Sequence, residues 1–130
     1  VTTTIAREPV ATLFAPGVEA LLEQHWREIA LYQDEVKLEP DFARYVALEK
    51  SGRLVVIVAR DGLRVVGYSV FLVSNHLHYS SCKMANNDVL FVDKDYRKGT
   101  SLGIRLIRCS EVILQGLGVQ RVTWHVKPLN

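Results

Sequence analysis

The stretch Arg97-Lys98-Gly99-Thr100-Ser101-Leu102-Gly103 places two cations, two glycines and two hydroxyls at the start of a long helical pattern. The first N–H groups of a helix lack intrahelical acceptors and the dipole there is positive, so such a loop can cradle a phosphate. Glycine lets the anion approach the backbone, and Arg97 and Lys98 add charge; a turn with an exposed basic pair uses the same residues, so both readings stand. His76 and His78, two apart, are expected on one face of a strand, where they could pass a proton or share a metal. No third ligand follows at a metal-binding spacing, and no metal is expected. Cys109 lies beside apolar helix positions without a neighbouring base and reads as a small hydrophobe, while Cys82, in a polar segment, reads as exposed. His125, beside Trp124, has ordinary uses at a strand end and is not assigned to catalysis.

The elements that must position these groups fit one domain over residues 1–130. With 48% hydrophobic and 23% charged residues the chain is neither disordered nor low in complexity. Sixteen Lys+Arg against fourteen Asp+Glu give a formal net charge of +2, which calls for neither a nucleic-acid nor an anionic membrane partner. A weaker reading, binding to RNA or DNA, would run through Arg97, Lys98, Arg105 and Arg108. Val1 to Pro9 has no basic segment leading into an apolar run, no later stretch is long enough to span a bilayer, and two cysteines make no disulfide scaffold. A cytoplasmic setting with reduced thiols is expected.

Pro16-Gly17 opens a helical pattern with Val18, Leu21, Leu22, Trp26, Ile29 and Tyr32 at three- and four-residue steps. Pro40-Asp41 opens a second, shorter one carrying Phe42, Tyr45 and Val46, closed by Ser51-Gly52. Strand-forming runs follow at Leu54–Ala59, from Arg64 through Phe71 to Tyr79, and at Val89–Val92, with Asp61-Gly62 as a hairpin turn. They predict an antiparallel meander. A long helix then presents Leu102, Leu106, Ile107, Ser110, Ile113, Leu114 and Leu117 on one face, and Val119–Val126 is a last strand whose crossover connection predicts parallel pairing.

This order of elements resembles the GNAT superfamily of acyl-CoA-dependent N-acyltransferases. Leu90-Phe91-Val92-Asp93-Lys94-Asp95-Tyr96-Arg97-Lys98-Gly99 looks like that family's fourth strand entering its pyrophosphate loop, and Val65-Val66-Gly67-Tyr68 resembles the strand before it. The combination of His76-x-His78-Tyr79, the Asp88 strand and the glycine loop looks like GNAT-like proteins of bacteriophages. The sequence departs from the pattern in three ways: Ser101 stands in place of the loop's middle glycine, Asn86 in place of a Glu that serves many members as general base, and the chain stops at Asn130, before the usual last helix and strands.

The resemblance implies an α/β (α+β) fold, a GNAT-like mixed sheet in which the meander is followed by a β-α-β crossover, with helices on both faces. It implies acetyl-CoA as acyl donor, held by Leu90, Phe91, Val92, Arg97, Lys98, Gly99, Thr100, Ser101, Leu102 and Gly103. Acetyl-CoA would lie in the gap between the Val89–Val92 and Val122–Val126 strands, its pyrophosphate on the N–H groups of Lys98 to Gly103, and a backbone N–H near Phe91 or Val92 would polarise the thioester. An amine acceptor, a protein lysine or N-terminus ahead of a small metabolite, would lose its proton to Asp88, with Glu35 and His78 as further catalytic candidates. Glu35 is otherwise a solvated turn acid, and Asp88 otherwise a strand-end cap. The rival reading is a catalytically degenerate GNAT-like binding protein that recognises a host protein or CoA without turnover. A short C-terminus also predicts a homodimer through the edge of the last strand.

Overall fold

The computed structural model describes residues 2–29 and 39–124. Helices α1 (Glu19–Ile29) and α2 (Phe42–Lys50) precede the strands β2 (Leu54–Asp61), β3 (Arg64–Asn75) and β4 (Lys83–Val92), and α3 (Leu102–Gly116) leads into β5 (Arg121–Thr123). Ahead of them all lies β1 (Thr3–Glu8), which the sequence reading did not find. The sheet order is β1-β2-β3-β4-β5, antiparallel throughout except for the parallel β4–β5 pair.

Leu54 to Ala59 is buried on both sides because helices cover both faces of the sheet. Leu54, Val56 and Val58 join Tyr68, Val70, Phe91 and Leu21 on the α1/α2 side. Val55 and Ile57 join Phe71, Ala85, Leu106 and Leu114 on the α3 side. The caps agree with the sequence signals: Asp41 accepts a hydrogen bond from the Arg44 N–H at 3.0 Å and starts α2, and Gly62, at φ +62°, makes the turn between β2 and β3.

β1 has only Ile5 and Ala6 as apolar residues, too few for an alternation signal. Polar contacts hold it instead. Arg60 on β2 grips Glu8 through two bonds of 2.8 and 2.7 Å, keeping the Glu8 carboxyl below its ordinary pKa, and Arg105 on α3 donates to the Thr3 carbonyl at 3.1 Å.

Three strand limits differ from expectation. β3 stops at Asn75, so His76 and His78 lie in the β3–β4 loop and not on a strand face. There His76 Nδ1 accepts the N–H groups of His78 and Tyr79 at 3.0 and 3.2 Å, a turn closed by its own side chain. β4 begins at Lys83, not Val89, because its polar first half alternates in burial, with Ala85 and Asn87 inward. β5 pairs with Met84–Asn86 in that first half. The strand is shorter than the predicted Val119–Val126, with Val119, Gln120 and Trp124 outside it; His125, Val126 and the part of the edge that follows, on which a dimer was expected, lie outside the described residues.

Candidate active site

Register shifts in β4 between its pairings with Val70 and Phe71: Val70 faces Val89 but Phe71 faces Asn87, which leaves Asp88 as the extra residue of a β-bulge. The bulge is pinned from inside. Buried Asn87 donates its side-chain amide to the carbonyls of Val89 at 2.9 Å and Val70 at 3.3 Å. The inserted residue also reverses the alternation, so Ala85 faces α3 while Val89 and Phe91 face α1 and α2. Asp88 is exposed and lines an opening with Glu39, Asp41, Arg44, Tyr45 and Leu72. Its charge, after burial, helps raise the pKa of the Tyr45 phenol.

At the far end of β4 the Asp93 N–H donates to the Val66 carbonyl at 2.8 Å. Antiparallel alternation then turns the Phe91 N–H toward β3 as well, and the N–H groups of Leu90 and Val92 away from it. The sequence left Phe91 and Val92 as equal choices for polarising a carbonyl; of the two, the Val92 N–H is the one turned away from β3. Gly67, opposite Val92, is needed for this close pairing, since a Cβ there would lie 3.0 Å from the Phe91 carbonyl oxygen.

Asp93, buried, then organises the loop: it accepts from the Asp95 N–H at 3.0 Å and pairs with Arg64 at 3.2 Å. Tyr96 donates to Asp61, and Thr100 to the Tyr96 carbonyl. Gly99, at φ +72°, turns the chain into α3, whose N-cap Ser101 makes no side-chain capping bond. A Cβ at Gly103 would meet nothing within 4 Å. The first turn of α3 thus lacks a cap from Ser101, has its Leu102 N–H turned to the Thr100 hydroxyl at 3.4 Å, and is open at its glycine.

Arg97 departs from the role expected of a phosphate ligand. Its Nε donates to the Val92 carbonyl at 2.8 Å, its guanidinium pairs with Glu28 of α1 at 2.8 and 3.1 Å, and it lies 5.0 Å from the Phe91 ring centre. It ties α1 to the end of β4, and Lys98 stands exposed in the loop. Of the four cations in the nucleic-acid reading, Arg97 and Arg105 are thus engaged in contacts within the chain.

Between α1, α2 and the sheet lies an apolar pocket of about 160 Å³. Its polar tips are His25, whose Nδ1 is 2.7 Å from the Tyr68 hydroxyl, and Tyr45. The His25 ring stacks on Phe91 with centres 4.5 Å apart and planes 15° apart.

No family model and no curated protein matches the sequence. Solved structures do match in shape. An aminoglycoside acetyltransferase from an uncultured soil metagenomic sample aligns with a TM-score of 0.76 at 14% identity, over 99% of this chain and 82% of that one. A ribosomal-protein-alanine N-acetyltransferase from Brucella melitensis biovar Abortus 2308 gives 0.69 at 14% identity, over 98% and 82%. AAC(6')-Iy in complex with the bisubstrate analogue CoA-S-monomethyl-acetylneamine gives 0.65 at 15% identity, over 100% and 83%. The chain has the GNAT fold.

Within the GNAT fold, the strand, loop and helix singled out by the sequence are β4, residues 93–101 and α3, and they bring Leu90 to Gly103 to one end of the sheet. Asp88 sits on the same strand, four residues before Val92. His78 does not join them: it lies beyond the other end of β4, in the loop before Lys83. Glu35 lies outside the described residues. Cys82 and Cys109 are free and half-buried, so Cys82 is less exposed than expected. The residues that sequence reasoning missed are His25 and Tyr68. The available signal was helical spacing, since His25 stands four residues after Leu21, on the face that α1 buries.

Burial pushes the His25 pKa below its ordinary 6.5; Arg97 acts the same way and Glu28 opposes it. Above that value the imidazole is neutral in both folded and unfolded chains. Below it the unfolded chain binds a proton that the folded chain refuses, so stability falls by up to about 1.4 kcal/mol per pH unit until the lowered folded pKa is reached. The Glu8 contribution belongs to a separate window: present above 4.5, it is lost as pH falls through the lowered carboxyl value. Melting wild type and His25→Gln between pH 7.5 and 5.5 checks this. A steeper fall for wild type is expected, and parallel curves would count against it.

Proposed function

We propose that this chain is an acyl-CoA-dependent N-acetyltransferase. The observation that carries the reading is the β4–α3 junction, where a glycine turn delivers a helix whose N-cap Ser101 makes no side-chain capping bond and whose first turn is open at Gly103. The pyrophosphate of acetyl-CoA would accept from the N–H groups of Lys98 to Gly103, taking over the Leu102 N–H from the Thr100 hydroxyl, with the Lys98 ammonium beside it. The thioester carbonyl oxygen would accept from the Val92 N–H, which the ladder aims away from β3.

On the α1/α2 side, Asp88 takes a proton from the acceptor ammonium, directly or through one water. The freed amine attacks the thioester carbon, its C–N bond forms, and the tetrahedral intermediate collapses with breakage of the C–S bond. CoA leaves as thiolate and is protonated, while the new amide nitrogen loses its extra proton. Held positions and one deprotonation are the protein's contribution. Arg97 keeps the Val92 carbonyl fixed from the outside, a positioning role rather than a phosphate contact.

Calorimetric titration with acetyl-CoA and with CoA tests the reading. Gly103→Glu sets a side chain and a negative charge in the cradle and is expected to weaken both at least about a hundredfold, with melting unchanged, since the site meets open space. Failure of folded wild type to bind either molecule would sink the enzyme and leave a GNAT-shaped binding protein.

A further inference from the structure

Two openings meet at Pro40 and Tyr45: the apolar pocket that contains His25, and the acidic opening that contains Asp88. We infer that the acceptor is a small primary amine with a compact apolar body, about one aromatic ring or a branched alkyl group in size, which fills the first opening while its ammonium stands in the second. This rests on the acetyltransferase reading and narrows its acceptor.

Size sets the first limit. An apolar cavity of about 150 Å³ takes one benzene, and this pocket measures about 160 Å³. Chemistry sets the second. The walls are Val10, Leu13, Phe14, Leu22, Val70 and Val89, and no carboxylate lines the pocket among the described residues. Its buried polar pair is already satisfied, His25 against Tyr68 at 2.7 Å, and burial favours the neutral imidazole and the protonated phenol. A second cation inside would be desolvated without a counter-charge, a cost that an aryl or alkyl group does not meet.

The neighbouring opening has the opposite character. Glu39, Asp41 and Asp88 line it with Arg44 as the one basic residue among its described lining, so an ammonium is matched there. Tyr45 belongs to both walls, and Asp88 acts electrostatically on its phenol, which shows how close the apolar and acidic parts lie. One charged end and one dry end, joined at Tyr45, describe an arylalkyl or branched alkyl amine and exclude a polycation.

The test compares 2-phenylethylamine with putrescine, which has two ammonium ends and no ring, in acetylation by the full chain with acetyl-CoA. The kcat/KM for 2-phenylethylamine is expected to be at least tenfold higher. Leu22→Trp, which fills the pocket from α1, should abolish that preference while acetyl-CoA still binds as to wild type. Phe14→Ala, should Leu22→Trp not fold, enlarges the pocket and is expected to shift the preference from 2-phenylethylamine toward the two-ring tryptamine. Equal or better use of putrescine, or preferences unmoved by the variant that folds, would overturn the inference and leave the acetyltransferase standing. Should acetyl-CoA fail to bind, titration of 2-phenylethylamine alone against wild type and variant still decides whether the pocket takes it.

Discussion

Asp88→Asn is expected to lower kcat at least about a hundredfold while leaving the acetyl-CoA dissociation constant within about twofold. Asparagine keeps the shape of the side chain and removes only its ability to take a proton. Asp88 is the extra residue of the bulge, so it owes nothing to a cross-strand partner, and Asn87 holds the backbone there from inside. The substitution therefore leaves the strand and the loop proposed to hold CoA, which begins beyond Val92, in place. A general base is worth about 10²–10⁴ in rate, more than any other single polar change at this site would remove without loss of binding. Unchanged kcat with a saturating amine would take the base away from Asp88. A loss of acetyl-CoA affinity in step with kcat would make the residue structural.

The largest loss of stability is expected from Phe91→Ala, about 3–5 kcal/mol, read as a fall in melting temperature of about 10–20 °C. Phe91 is only 6% exposed, and its ring meets His25 at 4.5 Å, Tyr68 at 6.0 Å and the Arg97 guanidinium at 5.0 Å. Truncation opens a cavity under a buried imidazole and removes the surface on which Arg97 rests. Phe91→Leu keeps most of the volume and should cost less than half as much. A Phe91→Ala chain that melts within 3 °C of wild type would show that the stack does not hold α1 to the sheet.

Most of the fold could be read from the chain because its signals were local. Asp61-Gly62, Pro40-Asp41, Ser51-Gly52 and the apolar face of α3 each specify a turn, a cap or a period within a few residues, and the structure uses each as such. β1 and the first half of β4 were not legible, since their strand state comes from neighbours: β2 and the Arg60–Glu8 pair for the one, and pairing with β3 and β5 for the other, with polar Asn87 satisfied by the Val70 and Val89 carbonyls. The loop from Arg97 to Gly103 was visible as a cradle, but not the destination of the Arg97 side chain, because Glu28 is 69 positions away. His25 escaped for a related reason. A histidine on an apolar stripe gives no hint of its partner until the sheet brings Tyr68 beneath it.

The pairing of β1 with β2 also orders the assembly of the sheet in time. β2 meets β3 across a two-residue turn, whereas β1 meets β2 only after both helices between them have been made, a closure of roughly fifty residues that costs about 3 kcal/mol more in chain entropy than the hairpin. The middle of the sheet can therefore form while the chain is still emerging, with β1 waiting as an unpaired ribbon. Arg105, which clasps Thr3, is synthesised after β2 and 102 residues after Thr3 itself. The first strand in sequence is thus among the last to be secured, and until then the outer edge of β2 is the face that a newly made chain must keep from its neighbours.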